Sequence, residues 1–265
     1  MLSTDQAQAY LERLGFDHAP TVSKEGLDAL VRAHQMHIPF ETVRLHRTGQ
    51  TPSMNLDDIF DLVISQHQGG YCFELNKLFE YLLRALGFDA RPIFCRSVRG
   101  RETRMPLNHR GILVSLPQGD FFADVGFGGP MPAGALKLEF GTQQIIDGNA
   151  FFAEPIDDDW WALERITRAG ADLHDDERPS QRQTELEFCT ATAEEQDFDM
   201  LNQVFSAPGT LFRDHELANL RTSNGHIAFR DDVLTLRANG KKHTAELEDP
   251  QAVSAALKEH FGITY

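Results

Sequence analysis

Cys72, His109 and Asp124 are the residues whose chemistry is complementary: a nucleophile, a base and an orienter for the base. Cys72 lies in Gly69-Gly70-Tyr71-Cys72-Phe73-Glu74-Leu75-Asn76. Downstream, Leu75, Leu78, Phe79, Leu82, Leu83 and Leu86 follow the spacing of one helix face, and Gly87 is a plausible terminator. Cys72 is therefore expected at a helix start, where unpaired N–H groups and the helix dipole favour a thiolate. The two glycines let a backbone or a ligand come close. The alternative is a small buried core residue, the usual fate of a free cysteine.

His109 opens an apolar run, Gly111 to Leu116, and Asp124 lies in the run that returns from it. An imidazole at a strand start can face a pocket, and a neighbouring carboxylate can accept its other N–H and fix the tautomer. His18, His34, His37, His46 and His67 lack such a setting and read as surface or satisfied core residues. The register is harder to satisfy. A symmetric hairpin turning at Gln118-Gly119 sets His109 opposite Gly128. Asp124 is then four residues away, roughly 13 Å at strand rise. A bulge, a shifted turn or strong twist is expected to bring the two together.

The elements that must hold these residues fall into three stretches. Ser3 with Gln6 forms a capping box for a helix ending near Gly15. Ser23 opens a second helix carrying Leu27, Leu30, Val31 and His34, and Pro39 ends that region. Asn55 caps a third, with Leu56, Ile59, Phe60, Val63 and Ile64 on its apolar side. Ala90 to Val98, Gly111 to Leu116 and Phe121 to Phe127 read as strands, with Pro117-Gln118-Gly119-Asp120 as a turn, and weaker strands follow to about residue 190. The acid-rich stretch from 154 to 177, including Asp157-Asp158-Asp159 and Asp175-Asp176-Glu177, reads as a solvated loop. Beyond Glu194 the pattern is mixed. Val233 to Arg237 and His243 to Leu247 flank the hairpin signal Asn239-Gly240, and Asp249-Pro250 opens a last helix. Helices first, strands next and a mixed end indicate an α+β fold.

The chain has 265 residues, 41% hydrophobic and 25% charged, which suits a globular protein with a sizeable core. Its net charge of −15 argues against nucleic-acid or anionic-membrane partners. Cys72, Cys95 and Cys189 are odd in number and far apart, so neither a disulfide framework nor a metal site is expected. Met1-Leu2-Ser3-Thr4-Asp5 does not lead into a signal peptide, and a cytoplasmic protein is expected.

Four motifs in order, Ile38-Pro39-Phe40-Glu41, Gly69-Gly70-Tyr71-Cys72-Phe73-Glu74, Asn108-His109-Arg110 and Asp124-Val125-Gly126-Phe127-Gly128-Gly129, resemble the arylamine N-acetyltransferase family. The resemblance is strongest over about residues 5–130. It implies a papain- and transglutaminase-like cysteine-enzyme core in three parts. These are a helical bundle (1–87) carrying the cysteine, a β-barrel (88–193) carrying the histidine and aspartate, and an α/β lid (194–265). It implies a Cys72-His109-Asp124 triad, acetyl-CoA as co-substrate with no permanently bound cofactor, and an arylamine or arylhydrazine acceptor. Ping-pong acetyl transfer through acetyl-Cys72 follows, with a Cys72–His109 ion pair keeping the thiolate ready. Phe40 and Phe127 resemble the family's aromatic pocket residues, with plain core packing as the alternative. Gly126, Gly128 and Gly129 would admit the pantetheine arm, or merely turn the chain. Asn108 stands beside the base and is taken as a further substrate contact.

Several positions depart from the family pattern. Gln68 stands where an arginine is usual, so a local ion pair is expected to be missing; Leu75 replaces a glutamine and Asn108 a threonine. Val204-Phe205-Ser206-Ala207-Pro208 is a degraded form of the lid motif, which bears on donor preference. Arg91, Arg96, Arg99, Arg101, Arg104 and Arg110 form a basic island with Glu102 as its acid. Arginine suits phosphate, so Arg99, Arg101 and Arg104 are candidate contacts for CoA, with a solvated loop as the alternative. The same triad would also serve an amide synthase that closes a macrolactam from a carrier-bound acyl chain. A cysteine hydrolase or a binding protein on this core is the third reading.

Overall fold

Local capping signals set most helix starts. The computed structural model describes residues 1–99, 101, 103–166 and 181–265. In chain order the first elements are α1 (Thr4–Arg13), α2 (Lys24–His37), the short strand β1 (Phe40–Glu41), α3 (Val43–Thr48), α4 (Leu56–Phe60) and α5 (Cys72–Ala85). Ser3 and Gln6 exchange side-chain-to-backbone bonds at the start of α1. Ser23 accepts from the Gly26 N–H, and Asn55 from those of Asp57 and Asp58. These caps match expectation. α4 continues through a π-helical turn, Asp61–Ser65. α3 carries no side-chain cap bond, which is why the sequence does not announce it. Its apolar anchors, Val43 and Leu45, are buried, Val43 by elements distant in sequence.

The strands β2 (Asp89–Ser97), β3 (His109–Leu116), β4 (Gly119–Ala123), β5 (Leu136–Lys137), β6 (Gln144–Ile146), β7 (Asn149–Pro155), β8 (Trp160–Ile166) and β9 (Arg182–Cys189) form one antiparallel sheet. Among the described residues its order is β5-β4-β3-β2-β9-β8-β7-β6. Its two edges meet through one side chain. The Gln144 amide, on β6, accepts from the Lys137 N–H and donates to the Lys137 carbonyl, both at 2.8 Å, on β5. A side-chain amide thus substitutes for a strand pair and closes the sheet on itself, which also protects the edges.

The β3–β4 hairpin corrects the expected register. Its turn is Pro117-Gln118, and Leu116 pairs with Gly119. Continued, that register sets His109 opposite Gly126 rather than Gly128. Asp124 is then a diagonal neighbour on the same face, within reach of a long side chain. No bulge is needed. The strand expected to run to Phe127 stops at Ala123, because the Asp124 carboxylate turns back to accept the Gly126 N–H at 2.8 Å. The acidic stretch from 154 is also corrected in part. Asp157 caps a tight turn by accepting from the Asp159 and Trp160 N–H groups, and β8 follows at once. Leu163 in β8 is fully buried. The run Asp175-Asp176-Glu177 lies outside the described residues.

After β9 come α6 (Glu195–Phe205), α7 (Leu211–Asp214), β10 (Leu217–Thr222), β11 (Gly225–Arg230), β12 (Val233–Ala238), β13 (Lys241–Glu246) and α8 (Pro250–Phe261). Strands β10 to β13 form a meander, and β1 joins its edge through β10. Asn239 and Gly240 both take positive φ (53° and 74°), as a two-residue hairpin turn requires. Asp249 caps α8, with Pro250 in its first turn. One hydrophobic cluster lies among α1, α2, α5 and the inner face of β3, a second within the barrel, and a third beneath α8. No helix among the described residues is long and apolar enough to cross a membrane.

The Gln144 seam makes a prediction. Gln144→Ala should cost about 1–2 kcal/mol, the worth of a pair of neutral hydrogen bonds. In native-state hydrogen exchange the Lys137 amide should lose protection before the β2–β3 ladder does. Unchanged protection at Lys137 would show that the seam does not close the sheet.

Candidate active site

Asp124 gathers the site. Its Oδ2 lies 2.6 Å from His109 Nε2. Its Oδ1 accepts from Asn76 Nδ2 at 2.9 Å and from the Gly126 N–H at 2.8 Å. His109 and Asp124 are 4% and 3% exposed, so the pair is held out of water. With Nε2 engaged, Nδ1 is the ring nitrogen left for proton exchange. Phe127 sets its ring edge-on to the imidazole, with centroids 5.3 Å apart.

Cys72 reaches this pair through its own helix. Asn76 lies one turn beyond Cys72 on α5, on the same face. Besides Asp124, its amide donates to the Arg110 carbonyl at 2.6 Å and accepts from the Val125 N–H at 2.9 Å. One side chain therefore pins the segment after His109 and the segment after Asp124 against the helix that begins at Cys72. Gly126 completes the fit: a Cβ there would lie 2.9 Å from Cys72 Cα and 3.0 Å from Asn76 Nδ2. Asn76 received no role from sequence. Its position one turn after a candidate nucleophile was the available signal.

The helix start does not by itself offset the burial of Cys72. Burial pushes the Cys72 thiol well above its usual range, and the Asp124 carboxylate pushes the same way. The N–H groups of Phe73 and Cys72 oppose them without prevailing. Ionisation of Cys72 therefore requires a partner that takes its proton. Cys95 is also buried and raised, chiefly by burial, and a Cβ on Gly111 would lie 2.7 Å from its sulfur. That is a packed core thiol.

A cavity of about 340 Å³ adjoins the site. Phe40, Phe127, Gly128 and Gly129 line it, and it meets the His109 pair at Asp124. Its far wall is polar and includes Asn219, Arg221 and His226. Gly128 has a φ of +66°, and a Cβ there would meet the Phe40 ring at 2.5 Å. Gly126 makes its close approach to Cys72 rather than to open space. Asn108 is not brought to the cavity; its N–H donates to the Cys95 carbonyl, and its side chain accepts from the Ser97 N–H.

The basic island separates into different roles. Arg110 is fully buried and paired with Glu80 and Glu195. Arg96 and Arg104 share Glu187 and flank the Trp160 ring. Arg99 lies 4.0 Å from Glu185 and 5.8 Å over Phe127, at the cavity's edge. Arg101 is exposed. Among the described residues, no cluster of three or more His, Cys, Asp or Glu side chains could hold a metal ion.

Gln68 has an unexpected use. Its amide donates to Thr264 Oγ1 and accepts from the Thr264 N–H, both at 3.2 Å. Arg44 gives its guanidinium to Glu74 at 2.5 Å, and only its backbone N–H, at 3.1 Å, to Glu41. Tyr265 donates its hydroxyl to Glu41 at 3.3 Å. Buried and without a guanidinium hydrogen bond, Glu41 is pushed up to about 7, by burial first, with the nearby Glu74 also raising it.

The chain is similar to known proteins along most of its length. A family model described as N-acetyltransferase matches residues 23–265. An arylamine N-acetyltransferase of Escherichia coli (strain K12) is 30% identical over 263 residues, covering 96% of this chain and 87% of that protein. A proansamycin X synthase of Amycolatopsis mediterranei (strain S699) is 33% identical over 145 residues, 51% of this chain and 56% of that protein. The second alignment thus spans about half of each protein. The solved structure of Mycobacterium marinum arylamine N-acetyltransferase in complex with CoA superposes with a TM-score of 0.85 at 26% identity, covering 97% of this chain and 92% of that one.

Glu41 predicts a pH dependence. Its folded pKa of about 7 lies above the ordinary value of 4.5, so the folded state binds its proton more tightly. The stability this confers is complete below the ordinary value and is lost as pH rises through about 7. Glu41→Gln should therefore flatten the fall in Tm between about pH 5 and pH 8. An unchanged Tm profile would mean that Glu41 keeps its charge when folded.

Proposed function

The chain belongs to the arylamine N-acetyltransferase family, and we propose that it carries the acetyl group of acetyl-CoA to the nitrogen of an arylamine or arylhydrazine through an acetyl-Cys72 intermediate. The observation that carries this reading is the buried His109–Asp124 contact, anchored by Asn76 to the helix that Cys72 begins.

In the first half-reaction His109 Nδ1 takes the Cys72 proton as the sulfur attacks the thioester carbonyl carbon. The resulting imidazolium is stabilised by Asp124, which offsets the cost of ionising a buried thiol. The N–H groups at the start of α5 would hold the oxyanion. The C–S bond to CoA breaks, and the departing sulfur recovers the proton from His109. In the second half-reaction the amine attacks acetyl-Cys72 and gives its proton to His109. The C–S bond to Cys72 breaks, and His109 returns the proton to the sulfur. Hydrolysis is suppressed to the extent that the buried site keeps water away.

Phe40, Phe127 and Gly128 form the apolar end of the acceptor's cavity, next to Asp124. Gly126 contributes by letting the Asp124 segment approach Cys72, and Asn108 by fixing the start of β3. Arg99, Arg101 and Arg104 are the proposed contacts for CoA phosphates, although Glu185 lies 4.0 Å from Arg99 and Glu187 already holds Arg104. The bundle (1–87) supplies the nucleophile, the barrel (88–193) the base and its orienter, and the lid (194–265) the far wall. The likeness to a proansamycin X synthase favours a second reading, amide formation from a carrier-bound acyl chain by the same residues.

Intact mass tests the choice. Acetyl-CoA should add one acetyl group at Cys72, and an arylamine should remove it. No acetyl adduct, with transfer from a carrier-bound acyl chain instead, would establish the second reading. Asp124→Asn tests the orienter. Oδ1 is committed to two N–H donors, so the new amide nitrogen must take the Oδ2 place and donate to His109 Nε2. That forces the ring proton onto Nδ1 and removes the base. Acetylation should fall by as much as about 10⁴-fold, as in a comparable serine-protease change. Near wild-type turnover would remove Asp124 from the mechanism.

A further inference from the structure

α6 touches the sequence neighbours of both proposed reacting residues. At its first turn, Glu195 grips Arg110, the residue after His109, with two bonds: Oε1 to Nη2 at 2.6 Å and Oε2 to Nη1 at 3.2 Å. Two turns later Asn202 accepts the hydroxyl of Tyr71, the residue before Cys72. Its amide nitrogen is fixed in turn on the Pro52 carbonyl at 2.9 Å. Between these ends Phe198 is fully buried against Phe73 and Phe94, and its ring lies 4.7 Å from the Arg110 guanidinium.

The Arg110 end is a closed network. Glu80, on the helix of Cys72, meets Arg110 Nη2 at 2.5 Å. Lys77, also on α5, meets Glu195 at 2.8 Å and donates to the Met54 carbonyl at 2.7 Å. Arg110 and Glu80 are fully buried, where an ion pair contributes through fixed geometry more than through net energy. The planar guanidinium has one good position between two carboxylates, one on α5 and one on α6. Consecutive strand residues point to opposite faces. Fixing Arg110 on one face of β3 therefore fixes His109 on the other.

We infer that α6 is a positioning brace for catalysis, with Glu195 setting His109 through Arg110 and Asn202 setting Cys72 through Tyr71. α6 is not required to touch substrate. It holds the barrel strand and the catalytic helix in one relative placement, and reaction rates are steep in such placements. The inference rests on Cys72 and His109 acting as a pair, and it is tested by a chemistry that needs no acetyl donor.

Glu195→Gln keeps shape and removes charge; Tyr71→Phe removes only the hydroxyl. Each full-length variant is assayed well below its Tm. Three readouts are taken: kcat and KM for acetyl transfer, the pH profile of iodoacetamide alkylation at Cys72 by peptide mapping, and Tm. Each variant should lower kcat by about tenfold to a hundredfold, with donor KM nearly unchanged. Each should also move the alkylation profile to higher pH, because a displaced imidazole accepts the thiol proton less readily. Glu216→Gln, which breaks the Arg47–Glu216 pair at 2.5 Å away from the site, is the structural control and should lower Tm without moving the profile. Lower Tm with a wild-type profile and kcat in Glu195→Gln and Tyr71→Phe would overturn the brace, as would wild-type behaviour throughout. Failure of acetyl-CoA to modify wild-type Cys72 would overturn the acetyl-donor reading alone, because alkylation reads the Cys72–His109 geometry independently.

Discussion

A buried carboxylate has to be satisfied at every lone pair it presents, and the site depends on how Asp124 meets that demand. One oxygen faces the imidazole; the other takes a side-chain amide and a backbone N–H. Each partner comes from a different place: β3, helix α5 and the Gly126 turn. Satisfying the charge therefore assembles the site, because no single element can do it alone. The same bonds end β4 at Ala123, leave room for no side chain at Gly126, and give Asn76 its several tasks. Loss of the Asn76 side chain would leave buried groups unpaired rather than merely remove one contact.

Much of this was legible locally. Ser3, Ser23, Asn55 and Asp249 announce helix starts because a cap is a contact between residues two or three apart. Cys72 at a helix start, and the Asn239-Gly240 turn, are readable for the same reason. The resemblance then implied an architecture, an acyl donor and an acceptor that spacing alone could not. What the sequence did not disclose depends on long-range contacts. The β3–β4 register turned on which two residues make the turn, and a shift of two positions moved Asp124 from out of reach to beside His109. α3 and β8 are held by packing from distant segments rather than by their own signals. Arg110 looked like one cation among six, and only the fold shows its two carboxylates, one of them 85 residues away in sequence.

The charge distribution carries the same lesson. A chain of net −15 keeps arginines where their carboxylate partners are buried or half-buried: Arg110 with Glu80 and Glu195, Arg44 with Glu74, Arg165 with Glu185. Such pairs contribute less to stability than to uniqueness of placement. Around Glu41 the balance is left incomplete. Gln68 has no charge to offer, its hydrogen bonds go to Thr264, and Glu41 accepts only neutral donors, the Arg44 N–H and the Tyr265 hydroxyl. Gln68 thus ties down the C-terminal segment, while burial, with Glu74 nearby, raises the affinity of Glu41 for a proton.

The buried thiol follows from the same economy of charge. A thiolate preformed at the helix start would need to overcome both desolvation and the field of Asp124, and the two N–H groups there do not suffice. Under the proposed mechanism, Asp124 opposes a lone thiolate yet favours an imidazolium, so it penalises ionisation of Cys72 unless the proton moves to His109. The anion is then stable only as half of a pair. That requirement gives relative placement of α5 and β3 a chemical value beyond packing: a small displacement of the imidazole would leave the sulfur protonated while the fold stayed intact. It also explains physically why an element remote from substrate, such as α6, can influence reactivity through Tyr71 and Arg110. What such contacts control is the sharing of one proton between two buried groups, and that sharing is far more sensitive to distance than the stability of the protein is.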